Sequence, residues 1–250
     1  MFHPTLLILT AAVFLPAIVR AAALVITNPS FETPNTANGT FSGNSATGPS
    51  GWGWSVYNTG PTNSNRFFGV WDITGTPSFV AIPHGQQVGV VFLDDALSLE
   101  AGLRQTLGDT LQLTTEYTLS VGVGNFAPPG PWNFTGFPGY RVELLAGSTV
   151  LAMDNNTLSP GEGIFQTSTV TFTTGASHPN SGQALAIRLV SLNGPGVEVN
   201  FDNVTLNAVT VPEPTSLALL SLGGLIALMF RRRQTVSTAG KWILQRHGRD

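Results

Sequence analysis

Carboxylates are the first residues of this chain whose type and spacing could do chemistry. Asp94, Asp95 and Glu100 form its best acidic cluster, and two acids flanking a sugar are what glycoside hydrolysis requires. Adjacent acids at a strand end are also ordinary turn composition, so no active site is assigned to them. His84 in Pro83-His84-Gly85 and His178 before Pro179 sit in turn contexts and read as surface residues. There is no G-x-S-x-G elbow, H-E-x-x-H pair or Walker loop. Gly122-Val123-Gly124 begins like a dinucleotide motif but lies in a strand pattern and lacks the third glycine. With no catalytic constellation in view, the expectation is that the protein is not an enzyme. Aromatic faces offer binding chemistry instead, because they stack on sugar rings and cations. Trp52 and Trp54 share one side of a strand pattern and read as core. Trp132 and Phe134 lie in the Pro- and Gly-rich loop 125–139 and are the candidate ligand-binding residues.

The elements that would position these residues alternate with period two. Tyr117, Leu119, Val121 and Val123 share one phase, as do Tyr140, Val142 and Leu144, and Leu185, Ile187 and Leu189. Val88 to Leu93 is continuously apolar, as a strand buried on both faces would be. Further strands are expected over residues 24–27, 52–57, 67–72, 78–82, 103–107, 149–153, 165–173 and 198–207. The turns between them are rich in Gly, Pro, Asn and Asp. The expected fold is all-β, an antiparallel jelly-roll β-sandwich over residues 24–210. The chain has 250 residues, no cysteine and only 10% charged residues. A disulfide framework or thiolate metal site is therefore excluded. Between residues 24 and 210 four arginines stand against twelve acids, a net charge of −8. So acidic a body argues against nucleic-acid binding, which needs phosphates neutralised.

Both ends read as addresses. The apolar run Leu6 to Val19, followed by Ala21-Ala22-Ala23, has the length and small-residue site of a signal peptide over residues 1–23. At the other end Ser216 to Phe230 is apolar and stops at Arg231, Arg232 and Arg233. Fifteen residues of helix span roughly 22 Å, short of a hydrocarbon core of about 30 Å. The arginines place that end in the cytoplasm and the body outside. Val211, Pro212, Glu213 and Pro214 precede the helix, and the prolines keep the backbone extended there.

The Pro-Glu-Pro element, the short apolar helix and the arginine cluster, residues 211–233, resemble the PEP-CTERM sorting signal of bacterial exported proteins. The resemblance implies anchorage in the inner membrane, then processing by an exosortase. It also implies a destination at the cell surface or in an exopolysaccharide and biofilm matrix. Such signals usually end soon after the arginines, whereas this chain continues over residues 234–250.

A second resemblance lies in the body. Asn28-Pro29-Ser30-Phe31-Glu32, Gly51-Trp52 and Phe201-Asp202-Asn203-Val204 are similar to segments of the galactose-binding-type jelly roll of carbohydrate-binding modules. That likeness implies a structural calcium ion held by Glu32 and Asp202. The apolar phase of the last strand also switches between Phe201 and Val204, as a β-bulge at Asp202-Asn203 requires. Hard carboxylate oxygens there suit Ca²⁺, and they suit hydrogen bonds to turn amides equally well. The resulting expectation is an exported, non-enzymatic surface or matrix protein that binds polysaccharide, with a structural or adhesive matrix protein as the alternative.

Overall fold

Strand alternation closes two faces on one core and leaves two outer faces. The computed structural model describes residues 21–60, 66–94, 100–127, 136–192 and 196–211. Twelve strands run through them: β1 (Ala21–Ala23), β2 (Phe41–Asn44), β3 (Ser55–Asn58), β4 (Arg66–Asp72), β5 (Gln87–Leu93) and β6 (Ala101–Thr110); then β7 (Thr115–Asn125), β8 (Tyr140–Ala146), β9 (Thr149–Asn155), β10 (Ile164–Thr173), β11 (Ala184–Ser191) and β12 (Val197–Thr210). They form two sheets in which every pairing is antiparallel. The larger runs β10-β7-β12-β5-β4-β2, with β1 added on β12, and the smaller runs β3-β6-β11-β8-β9. The expected all-β sandwich is what the chain adopts.

The inner faces meet over one apolar cluster. Val121, Val123, Val199 and Phe201 reach it from the larger sheet, and Leu144, Ile187 and Leu189 from the smaller. Trp52 and Trp54 belong to this core, 3% and 5% exposed. Trp54 stacks on Phe31 at 5.3 Å, and its Nε1–H donates to the Asn28 carbonyl at 3.1 Å. The indole N–H is thereby satisfied where water cannot reach it.

Two expectations fail locally. Residues 78–82 are not a strand. They lie between Pro77 and Pro83 in the long connection from β4 to β5, which crosses the outer face of the larger sheet. The Val80 amide donates to Gly163 O at 3.0 Å, and the Ala127 amide to Ser78 O at 3.1 Å, so this loop is tied to the β7 and β10 ends. Residues 24–27 are likewise not a strand, while the edge strand β2 forms where no strand is expected. Among the described residues no helix is long and apolar enough to cross a membrane. The stretch expected to do so lies outside them.

Candidate active site

The last strand carries two side-chain rows. Val199 and Phe201 point into the main core, so Glu198, Asn200 and Asp202 occupy the opposite, outer face. In an ordinary half-exposed sheet such a row would be solvated. Here the neighbouring rows are apolar or empty. On β5, Phe92 faces Glu198 and Val90 faces Asn200. On β7, Gly124 faces Asn200 and Gly122 faces Asp202. Val199 faces Asn125, so Phe126 follows level with Glu198.

Above this row a second apolar cluster assembles. Phe79 and Ile82 descend from the covering loop onto Val88, Val90 and Phe126. Phe126 packs on Trp71 at 5.0 Å, and Phe79 packs on Phe165 at 4.8 Å. Phe165 reaches in because Gly124 has no side chain. A Cβ there would lie 2.5 Å from the ring. Asn200 and Asp202 are fully buried and Glu198 partly so.

Burial against these apolar groups pushes the Glu198 carboxyl up to about 7, against a smaller lowering by the Asn200 amide. That amide donates from Nδ2 to Glu198 Oε1 at 2.7 Å. The other Asn200 atom, Oδ1, is buried without a hydrogen-bond partner among the described residues. A carboxylic acid still protonated near neutral pH, in an aromatic site, is equipped to donate a proton. Aromatic faces around it can stabilise positive charge on a bound molecule.

Glu32 and Asp202 meet at the far end of the row. Glu32 Oε1 accepts the amides of Gln86 and Gln87, each at 2.9 Å. Asp202 Oδ2 accepts the His84 amide at 2.7 Å, and Oδ1 the Asn203 amide at 2.6 Å. Gly85 lies between these amides at φ +69, and a Cβ on it would fall 2.0 Å from Glu32 Oε1. The two carboxylates therefore clasp the C-terminal end of the covering loop. Burial, with the Glu32 charge as a smaller contributor, pushes Asp202 up to about 7. The expected bulge is present, with register shifting between Asp202 and Thr205 and Asn203 at φ 48. Two hard-oxygen carboxylates of like charge, side by side at the end of the row, form a donor set suited to a divalent cation. Among the described residues no group of three or more His, Cys, Asp or Glu side chains is arranged to hold a metal.

The remaining candidates do not converge on a site. Asp94 is exposed at the end of β5 and Asp95 lies outside the described residues. Glu100 pairs with Arg141, with contacts of 2.7 and 2.6 Å. His84 is exposed, and His178 rests edge-on against Phe172 at 5.5 Å. Trp132 and Phe134 lie outside the described residues, as do Pro212, Glu213, Pro214 and Arg231 to Arg233. Val211 is described, and its amide donates to Thr114 O at 2.7 Å. Glu198 and Asn200 were not among the sequence candidates. The signal for them is β5: a strand apolar in both phases implies that the polar phase of its neighbour is covered.

The fold and site define a β-sandwich with a buried acid beneath an aromatic cluster on one outer face. The chain belongs to the HpiC1-like family, described as HpiC1 cyclase, which matches residues 22–207. The PEP-CTERM protein-sorting motif matches residues 210–233. A Stig cyclase, Fisc from Fischerella sp. TAU, in complex with (3Z)-3-(1-methyl-2-pyrrolidinylidene)-3H-indole, is 36% identical at a TM-score of 0.69, covering 77% of this chain and 100% of its own. A Fischerella sp. TAU cyclase in complex with 4-(1H-indol-3-yl)butan-2-one is 36% identical at a TM-score of 0.66, covering 76% of this chain and 99% of its own. No curated protein matches the chain.

These findings correct two expectations. The body belongs to an enzyme family, so the expectation of a non-enzymatic protein is wrong, and so is that of a polysaccharide-binding or adhesive matrix role. The reason is chemical. The sequence holds no nucleophile elbow, zinc motif or phosphate loop, and an acid that acts through burial leaves no local motif to read. The sorting expectation stands in its main part: the motif implies export, a membrane-anchored stage and processing by an exosortase-type system.

Proposed function

We propose that the body is a cyclase that closes a ring within an apolar, aromatic substrate by proton donation from Glu198. The observation that carries this reading is the Glu198 carboxyl, pushed up to about 7 beside Phe92 and Phe126. In the proposed step its O–H protonates an electron-rich double bond of the substrate. The resulting cation is attacked by a second π-bond of the same molecule, so one σ-bond replaces one π-bond. Loss of a proton from the product cation to the Glu198 carboxylate restores the acid. The reaction is an isomerisation and needs no oxidant, reductant or group donor. The indole ligands of the two Fischerella structures support an indole-bearing substrate. The test incubates the purified protein with indoles bearing an unsaturated side chain and follows ring closure by mass spectrometry and NMR. Glu198→Gln should bind the same compounds and lose on the order of 10²–10⁴ in rate. Turnover unchanged in that variant would sink the assignment.

Two further parts of the reading concern the rest of the chain. Glu32 and Asp202 would hold a structural Ca²⁺, which would neutralise their paired charge and fix the covering loop. Adding Ca²⁺ to metal-depleted protein should raise its melting temperature, and no shift would leave the amide clasp as their only role. After processing, the body would act at the cell surface or beyond it.

A further inference from the structure

Asn200 is fully buried, yet Glu198 uses only half of its side chain. Nδ2 is committed to Glu198 Oε1 at 2.7 Å, and Oδ1 accepts nothing among the described residues. A buried amide oxygen left without a donor is destabilising, so it persists where a ligand or the fold returns that energy. The surroundings narrow the donor. Asn200 stands between Val90 and Gly124 in register, and the Phe165 ring overlies Gly124. These neighbours present hydrocarbon, and the nearest polar side chain on its row towards the core of the site, Glu198, is already its acceptor.

We propose that Asn200 is a specificity-determining residue whose Oδ1 accepts a hydrogen bond from a ring N–H of the substrate, selecting N–H heteroaromatics over isosteric rings without a donor. The inference rests on the reading of this pocket as the cyclase site and names the substrate feature read there. Glu198 supplies the reactive proton, and Asn200 fixes the ring that receives it. A site built to accept a hydrogen bond rejects an analogue lacking the donor more strongly than a hydrophobic pocket rejects a change in size, because its own polar atom is then left unpaired.

The experiment measures binding of 4-(1H-indol-3-yl)butan-2-one and of its benzofuran counterpart, in which oxygen replaces the ring N–H, by calorimetric titration of the full chain. Wild-type protein should bind the indole at least about tenfold more tightly. In Asn200→Leu the ratio should fall to near one, chiefly through loss of indole affinity, and the melting temperature confirms that the variant is folded. A wild-type ratio near one would overturn the inference while leaving the cyclase reading in place, and that comparison needs no variant. A wild-type preference that survives in Asn200→Leu and disappears in Glu198→Leu, which has no acceptor at that position, would overturn it by making Glu198 the acceptor. If neither ring binds the wild type, the reading of the pocket falls and this inference with it.

Discussion

Asn200 donates its side-chain amide to Glu198, two residues earlier on the same strand, so both point into the aromatic cluster from one face of β12. The bond favours the carboxylate, but loss of water outweighs it, and the acid is pushed up to about 7. Activity that depends on the protonated form should be full below this value. Above it, the rate should fall roughly tenfold per pH unit. Stability should move the same way. The native state holds the proton over a range where the unfolded chain has released it, so stability is fully present below about 4.5 and declines as pH rises through about 7. Glu198→Gln, which cannot ionise, should be more stable than wild type at pH 8 by on the order of 2 kcal/mol and indistinguishable near pH 4. Urea unfolding at the two pH values measures the difference. An equal effect at both would show that burial does not control this carboxyl.

The glycine row of β7 makes a separate prediction. Phe165 enters the cluster over Gly124, where a Cβ would approach its ring to 2.5 Å. Gly124→Ala should push Phe165 and its partner Phe79 outwards, costing about 1–3 kcal/mol from overpacking. It should weaken ligand binding more than Glu198→Gln does, because it reshapes the pocket and leaves the acid in place. Titration of both variants with 4-(1H-indol-3-yl)butan-2-one separates the two roles.

The sandwich was legible because alternation is written into β7, β8 and β11, where each inward phase is unbroken. The site was legible only in pieces. The continuous run from Val88 to Leu93 predicts a strand covered on both faces, and β5 is one. What covers it is the loop through Phe79, which reads as a strand over residues 78–82 until Pro77 and Pro83 are given their due weight. Taken as a strand, that segment leaves the outer face open, and Glu198 and Asn200 then look like a solvated row. Their burial is a tertiary fact, set by a connection whose path no local pattern specifies. The bulge beside Asp202 was legible because it interrupts a strand phase, which is a local signal, whereas Glu32 carries no such signal and entered only through the resemblance of its segment to a jelly-roll module.

The sorting segment makes its own prediction. The match over residues 210–233 implies a processed protein. Mass spectrometry of material from the producing cell should find a mature form without Arg231 to Arg233 and without the apolar run before them. A full-length C-terminus in the final location would overturn processing at this segment. Replacing Glu213 by Ala should leave the unprocessed chain in the membrane fraction.

Asp154 offers the opposite pH dependence to Glu198. It lies on β9, and its Oδ2 accepts the hydroxyls of Tyr140 on β8 and of Ser168 on β10, the latter at 2.6 Å. The Thr157 amide adds a bond to Oδ1 at 3.2 Å. Since β8 and β9 belong to the smaller sheet and β10 to the larger, this carboxylate ties the two sheets at one edge. Burial works to raise its carboxyl, but the bonds from Ser168, Tyr140 and Thr157 outweigh it and hold the group below the ordinary value. A depressed acid stabilises the fold at pH values above the unfolded-state pKa. That contribution is lost as pH falls through the native value, which lies below the ordinary aspartate range. Asp154→Ala should cost about 2–4 kcal/mol at pH 7, because it leaves two buried hydroxyls without their acceptor. The penalty should shrink as pH falls below the ordinary carboxylate range, as the wild type loses the same interactions. Melting curves of wild type and variant from pH 3 to pH 8 would measure this, and a penalty independent of pH would mean that Asp154 holds the edge by packing and not by charge.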